Sequence, residues 1–172
     1  MNVTKILIVR FSSIGDIVLT TPIIRALKTQ LDGEVEIDFI TKTINASILD
    51  GNPYLNQVIT IDKHVSEVVK ELKNNRYDYV VDLHSNLRSR QVKRACKSLS
   101  FTIDKRNVAK WIYVNTKIEL LPISHVVERS FHTVKGLGIE DDGKGLDYFI
   151  PEKSKVDLNT LPENVRSGYI SY

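Results

Sequence analysis

The sequence contains a single cysteine, Cys96, and no apolar run near the roughly 18 to 20 residues that a membrane-spanning helix needs. One cysteine excludes a framework of disulfide bonds and fits a reducing compartment. The first residues lack both the length and the small-residue cleavage site of a secretory signal peptide. We therefore expect a soluble, cytoplasmic protein.

Several common ligand-binding motifs are also missing. No G-x-G-x-x-G follows the first predicted strand and no G-K-[ST] occurs, which excludes the usual dinucleotide and P-loop sites. No H-E-x-x-H motif or cluster of cysteines and histidines indicates a metal, so no metal site is expected. A hydrolytic triad of Ser12, His84 and Asp16 finds no support, because the chain has no nucleophile elbow. Cys96 falls within a predicted helix, which favours packing over a nucleophilic role.

The composition is that of an ordinary globular domain: 172 residues, 42% hydrophobic and 26% charged. The net charge of +3 is too small to indicate nucleic-acid binding. The cations are unevenly spread, however, with eight basic residues and one acidic residue from Arg88 to Lys110, followed by Trp111 and Tyr113. Such a patch suits phosphorylated lipid headgroups or nucleic acid. Since no nucleic-acid motif accompanies it, no nucleic-acid partner is expected.

Short β-branched runs alternate with helical spacings, a pattern typical of a parallel sheet with crossover helices. Residues 6–9 form a continuous apolar run, as in a strand buried on both faces. Pro22 lies inside the first helical pattern, so that helix is expected to be distorted or to start near Thr20. The fold class predicted is α/β, a Rossmann-like parallel sheet with helices on both faces. The further predicted strands are 35–40, 58–61, 77–83 and 101–103, and the predicted helices are 17–31, 46–49, 65–75, 87–97 and 126–137.

The last residues of the sequence have the pattern of a strand that is cut short. Residues 168–172 resemble the start of a new strand after a polar stretch that contains Pro151 and Pro162. We expect residues 1–165 to form one domain and residues 166–172 to begin a second, truncated one. The pattern of residues 108–114 does not decide between a helix and an irregular stretch.

The turn after the first strand, residues 10–16, is unusually polar. In open α/β sheets ligands bind beyond the carboxyl ends of the strands, and a helix N-terminus there offers free N–H groups to an anion. Gly15 allows the backbone to turn sharply or to approach a ligand closely. Asp16 is either a helix cap or a reactive carboxylate at the mouth of a cleft, and the residue pattern alone leaves both alternatives open.

Two further polar segments are candidates for anion binding. His84 and Arg88 follow the strand at 77–83, and the alternative for them is local hydrogen bonding on a solvated helix face. His125 and Arg129 lie one turn apart at the start of the last predicted helix and share a face. The alternative to anion binding for that pair is a row of charged side chains on the protein surface.

Residues 5–22, KILIVRFSSIGDIVLTTP, resemble the opening of the ADP-heptose:lipopolysaccharide heptosyltransferases, glycosyltransferase family 9. Three other stretches, Asn52–Tyr54, Tyr77–Ser89 and His125–Arg129, fall where that family has counterparts. The resemblance implies a GT-B fold, in which two Rossmann-like halves face each other across a cleft. The first half of such an enzyme holds the sugar acceptor and the second holds most of the ADP-sugar donor. This chain resembles the first half.

The resemblance also implies an activity, inverting transfer of a heptose from ADP-heptose, or a related nucleotide sugar, to a phosphorylated lipopolysaccharide core glycolipid. Asp16 would be the general base, and the nucleotide sugar is a substrate, so no cofactor is expected. We expect the isolated chain to be inactive and to contact the inner membrane peripherally through residues 110–113, unless Trp111 is simply packed. The alternative is a non-catalytic α/β module that binds an anionic ligand or a membrane surface. The candidate substrate-binding residues are Arg10, Ser12, Ser13, Gly15, His84, Arg88, His125 and Arg129.

Overall fold

The computed structural model describes residues 3–104, 125–155 and 160. In this part of the chain five strands form one parallel sheet in the order β3-β2-β1-β4-β5. The strands are β1 (Thr4–Val9), β2 (Val35–Lys42), β3 (Gln57–Ile61), β4 (Tyr79–Asp82) and β5 (Leu99–Thr102). The helices are α1 (Ile14–Val18), α2 (Thr21–Gln30), α3 (Val69–Asn75), α4 (Leu87–Cys96) and α5 (Val126–Val134).

The central strand β1 is buried on both faces, as its continuous apolar run predicts. Ile6 and Ile8 pack on one face with side chains of α2 and α5, whereas Leu7 and Val9 pack on the other with side chains of α3 and α4. All four side chains are fully buried. Helices therefore cover both faces of the sheet, and the predicted Rossmann-like α/β class is confirmed.

Pro22 marks a real interruption of the first helical pattern. The short helix α1 ends at Val18, and α2 begins at Thr21 with Pro22 in its first turn. Proline is tolerated there because the first N–H groups of a helix have no intrahelical acceptor. The Thr20 hydroxyl donates to the Ile17 carbonyl (2.6 Å) across the break. The break leaves α1 as a separate short helix directly after the polar turn.

Three helix predictions differ in detail from the structure. Residues 65–75 split into a 3₁₀ turn (Val65–Glu67) and α3, because the Glu67 carboxylate accepts the backbone N–H groups of the preceding turn at 2.6–3.0 Å. The short helix near 46–49 is a 3₁₀ helix, Thr43–Leu49. The last helix tightens to 3₁₀ geometry over Lys135–Leu137 and stops at Gly138, whose φ of +75° suits glycine.

The segment that follows Gly138, residues 139–155, is called here the return segment. It runs back along α2: Gln30 exchanges two hydrogen bonds with the Glu140 backbone (2.8 and 3.0 Å), and the Asp147 N–H donates to Thr21 Oγ1 (2.9 Å). Farther on, the ring of Phe149 meets Tyr54 edge-on at 5.9 Å. The return segment thus leads from the end of α2 to its beginning.

Several sequence predictions concern residues outside the described ranges. They are the undecided stretch 108–114, the membrane contact at 110–113 with Trp111, the strand at 168–172 and the domain boundary near 165. None of the described helices is long and apolar enough to cross a bilayer.

Candidate functional site

Two polar turns emerge side by side at the carboxyl edge of the sheet. Strands β1 and β4 are parallel neighbours, and Val9 pairs with Asp82 at the end of their ladder. The turns that follow, residues 10–16 and 82–90, therefore begin at the same level of adjacent strands. In open α/β sheets this edge is where ligands bind.

Asp16 occupies the third position of α1, and its carboxylate closes the turn. Its Oδ2 accepts the Ser13 backbone N–H (3.0 Å), the Ser13 hydroxyl (3.0 Å) and a guanidinium N–H of Arg10 (2.6 Å). Its Oδ1 makes no hydrogen bond with the described part of the chain, and the side chain is 31% exposed. Asp16 is therefore a cap through one oxygen, while its second oxygen makes no hydrogen bond within the described residues.

The surroundings of Asp16 set its protonation state. Partial burial raises the pKa of this carboxyl, but hydrogen bonds from the Ser13 backbone, from Arg10 and from the Ser13 hydroxyl, together with the charge of Arg10, outweigh burial. The pKa therefore lies below the ordinary value of an aspartate. Asp16 is ionised at neutral pH, as a proton acceptor must be, although a lowered pKa makes it a weak base.

Arg10 connects the two turns. Its Nε donates to the Ser12 carbonyl (2.9 Å), its Nη1 to the Leu83 carbonyl and its Nη2 to Asp16. The side chain is only 13% exposed. The sequence analysis named Arg10 as a candidate substrate-binding residue, whereas in the structure its three nitrogens bind protein groups.

Asn45 also braces the first turn, and the sequence analysis did not identify it. Asn45, buried just after β2, donates to the Phe11 carbonyl (2.9 Å). The buried Phe11 ring meets the His84 ring edge-on at 5.4 Å, which places His84 against the first turn. Asn45 follows a strand end, and applying to β2 the rule used for the two polar turns would have identified it.

The second turn is built around a fully buried Asp82. Its Oδ1 accepts the backbone N–H groups of His84 (3.0 Å) and Ser85 (2.7 Å), and its Oδ2 lies 3.1 Å from Lys93 Nζ. Oδ1 thus stabilises the turn, and Oδ2 forms an ion pair with a lysine of α4. Arg88, one residue into α4, is exposed and forms no hydrogen bond or ion pair with the described residues.

His125 and Arg129, which were predicted to share a helix face, have different environments in the structure. His125 caps α5, with its Nδ1 accepting the Val127 N–H at 3.3 Å. Arg129 is half-buried, and its Nε is buried with no hydrogen-bond partner in the described part of the chain. It lines a cavity of about 220 Å³ beyond the end of β5, together with Thr102, Asp104, His132 and Thr133. Because β5 is two strands from β1, this cavity lies about 10 Å to one side of the first turn.

The structure also describes the surroundings of Cys96 and of the side chains that could bind a metal ion. Burial raises the pKa of the half-buried Cys96 thiol to about 11, so the thiol is protonated at neutral pH. Within residues 3–104, 125–155 and 160, no three His, Cys, Asp or Glu side chains are grouped to hold a metal ion.

Comparison with known proteins shows that the chain is similar to heptosyltransferases. No protein-family model matches it. It is 29% identical over 140 residues to lipopolysaccharide heptosyltransferase 3 of Escherichia coli K12, an alignment that covers 74% of this chain and 40% of that protein. The resemblance drawn from the motifs is thereby supported by an independent similarity.

Solved structures of glycosyltransferases have a similar fold. A glycosyl transferase family 9 protein from Veillonella parvula superposes with a TM-score of 0.69 at 19% identity, over 87% of this chain and 46% of that one. The E. coli heptosyltransferase WaaC with ADP superposes with a TM-score of 0.64 at 23% identity, over 84% of this chain and 50% of that one. The chain thus spans about half the length of the proteins it resembles.

Proposed function

We propose, starting from the similarity of this chain to the heptosyltransferases of glycosyltransferase family 9, that it forms the acceptor-binding part of an inverting glycosyltransferase. The donor would be ADP-heptose or a related nucleotide sugar, and the acceptor a phosphorylated lipopolysaccharide core glycolipid. The observation that carries the proposal is Asp16: its motif matches the family's base position, one oxygen is held and the other is open at the ligand-binding edge.

In the proposed reaction Asp16 accepts the proton of an acceptor hydroxyl through Oδ1. The hydroxyl oxygen forms a bond to the anomeric carbon while the bond from that carbon to ADP breaks, and ADP leaves with the electron pair. A single displacement inverts the configuration at this carbon. Because the pKa of Asp16 is lowered, proton transfer has to accompany bond formation rather than precede it. Closure of the site around bound substrates would exclude water and raise the pKa again.

The cations near the two turns suit a phosphorylated acceptor. Arg88 is exposed and unpaired within the described residues. Arg129 lines the cavity beyond β5, and its buried Nε has no hydrogen-bond partner in the described part of the chain. Guanidinium groups bind phosphate through paired, charge-assisted hydrogen bonds. His84 and His125 are further candidates for acceptor contact. Ser12, Ser13 and Gly15 shape the turn that presents Asp16.

The donor is proposed to be held mainly by a second domain. WaaC was solved with ADP, and this chain superposes on only half of that structure. We therefore expect the 172-residue chain to bind the acceptor and not to catalyse transfer alone. Sugar transfer by the chain alone would contradict this expectation.

Binding by the chain itself tests the proposal directly. We expect it to bind a deacylated, phosphorylated inner-core oligosaccharide in calorimetric titrations, and to bind the dephosphorylated oligosaccharide more weakly. Anionic vesicles and a random oligonucleotide are the comparison ligands. Salt-sensitive binding to either of these, with no binding of the oligosaccharide, would favour a non-catalytic module that binds anionic surfaces.

A further inference from the structure

We propose that Arg10 is a positioning residue that holds Asp16 and joins the two turns, and that it does not contact the acceptor. The inference rests on the proposed function, in which Asp16 is the general base. It assigns to Arg10 a role different from the substrate contact expected from the sequence.

The bonding of the guanidinium carries the argument. All three of its nitrogens are engaged, with the carbonyl of Ser12 at 2.9 Å, the carbonyl of Leu83, and Asp16 Oδ2 at 2.6 Å. The side chain is 13% exposed, so little of its surface faces a ligand. Three of its five N–H groups are thus used by protein acceptors, and the low exposure of the side chain leaves little room for an acceptor phosphate at the other two.

The same contacts orient Asp16. Its Oδ2 receives three donors, two from Ser13 and one from Arg10, which restricts rotation of the carboxylate. Oδ1 is thereby directed away from these partners. A general base works only when it is held within hydrogen-bond reach of the proton that it accepts. A displacement of about 1 Å in such a group costs up to about 100-fold in rate.

Arg10 also sets the spacing of the two turns. Its bond to the Leu83 carbonyl reaches the segment between the buried Asp82 and His84, which faces Phe11. A lysine ammonium is a compact point charge and cannot reproduce the planar fork that serves three acceptors in different directions. Replacement by lysine therefore retains the charge and loses part of the geometry.

The first experiment needs no catalysis. The pKa of the Asp16 carboxyl is measured by NMR in the 172-residue chain for wild type, Arg10→Met and Arg10→Lys, with the signal assigned by Asp16→Asn. We expect Arg10→Met to raise this pKa toward the ordinary aspartate value and Arg10→Lys to raise it less. The matched control is Arg94→Met, which removes an exposed arginine from the last turn of α4 and should leave the pKa unchanged. An unchanged pKa in a folded Arg10→Lys or Arg10→Met protein would overturn the inference.

The second experiment uses the transferase that contains this chain. We expect Arg10→Met to lower kcat by about 10- to 100-fold, with little change in the acceptor KM, and to move the acid limb of kcat/KM to higher pH. Arg10→Lys should recover part of kcat. An increase in acceptor KM with kcat and the acid limb unchanged would show that Arg10 contacts the acceptor. If Asp16→Asn turns over at the wild-type rate, the proposed function fails, whereas the NMR result for the Arg10–Asp16 pair still stands.

Discussion

Asp16 lies in the helix after β1 and Asp82 is the last residue of the neighbouring strand β4, yet their environments suit them to different tasks. Asp82 is fully buried, and its two oxygens are used by the His84 and Ser85 backbone and by Lys93. Asp16 is partly exposed and uses only Oδ2 for its turn. A buried carboxylate with both oxygens engaged stabilises a turn, whereas one with an open oxygen can also accept a proton from a ligand. The capping role of Asp16 therefore does not compete with the proposed catalytic role.

Substitution of Asp16 separates these roles. Asp16→Asn retains an acceptor for the Ser13 N–H and removes the base, whereas Asp16→Ala removes both. In the proposed transferase we expect either change to lower the rate by about 100-fold or more. Only Asp16→Ala should also lower the free energy of unfolding, by about 1 kcal/mol. Turnover assays and denaturant titrations measure the two effects, and an alanine variant that loses stability but keeps its turnover would leave Asp16 as a cap alone.

The lowered pKa of Asp16 predicts the pH dependence. A carboxyl whose pKa is depressed on folding stabilises the protein above its unfolded pKa, and this contribution is lost as the pH falls through its folded value. In the proposed reaction the ionised form of Asp16 is the active one, so we expect the acid limb of kcat/KM to lie below about pH 4, the ordinary range of aspartate. The limb of kcat should lie higher, because the closed complex excludes water. A kcat/KM limb above about pH 5 would assign it to another group.

Among the elements, α2 and the return segment depend on one buried cation. Arg25 is 4% exposed and bonds to both Asp142 (2.7 and 2.8 Å) and Asp147. The hydrogen bond from Asp142 raises the pKa of Arg25, with burial opposing it, and Arg25 in turn lowers the pKa of Asp142. An ion cluster with this many bonds attaches a segment that otherwise has little apolar surface in the core.

We predict that Arg25→Met destabilises the fold by leaving two carboxylates without their cation. The midpoint of thermal unfolding should fall by about 5 °C or more at pH 7. Lys153→Met is the control, because it removes a cation from the exposed pair with Asp50 and should have little effect. The difference in unfolding midpoint between wild type and Arg25→Met should shrink below about pH 4. There the stabilisation that the ionised Asp142 provides is lost as the pH falls toward its lowered pKa. Equal midpoints for the two proteins at pH 7 would exclude this role.

At the scale of the whole molecule, the carboxyl edge of the sheet places the Asp16 carboxylate near cations that have no ion-pair partner within the described residues. Asp16 lies in α1 after the central strand β1, Arg88 lies in the first turn of α4 after β4, and Arg129 lines the cavity beyond β5. These groups thus span three adjacent strands, roughly 10 Å across. A phosphorylated oligosaccharide is large enough to contact all of them at once.

This arrangement predicts which cations matter for acceptor binding. Arg129→Met should weaken binding of the phosphorylated inner-core oligosaccharide by about tenfold or more, the scale of a lost charge-assisted hydrogen bond. Arg94→Met, at the far end of α4, should leave the affinity unchanged. Calorimetry on the chain measures both, and equal losses in the two variants would indicate general electrostatic attraction rather than a defined contact.

Much of the fold could be predicted because its signals are local. The apolar run of β1, the interruption at Pro22 and the stop at Gly138 each depend on a few consecutive residues, whose backbone preferences act whatever the remainder of the chain does. The motif around Asp16 is likewise continuous, so the position of the candidate site followed from the sequence together with the resemblance. The type of the shorter helices did not follow, because side-chain hydrogen bonds such as those of Glu67 decide between α and 3₁₀ geometry.

The sequence by itself therefore determined the parallel α/β class and the turn in which Asp16 lies. Only the tertiary structure decided what each polar side chain does there. Arg10 and Leu83 are 73 residues apart, and Arg25 and Asp142 are 117 apart, so both contacts exist only once strands and segments are placed side by side. Periodicity specifies which faces are buried and carries no information on which distant donor meets which acceptor. For that reason the sequence offered Arg10 as a substrate contact, and the folded chain shows it holding Asp16.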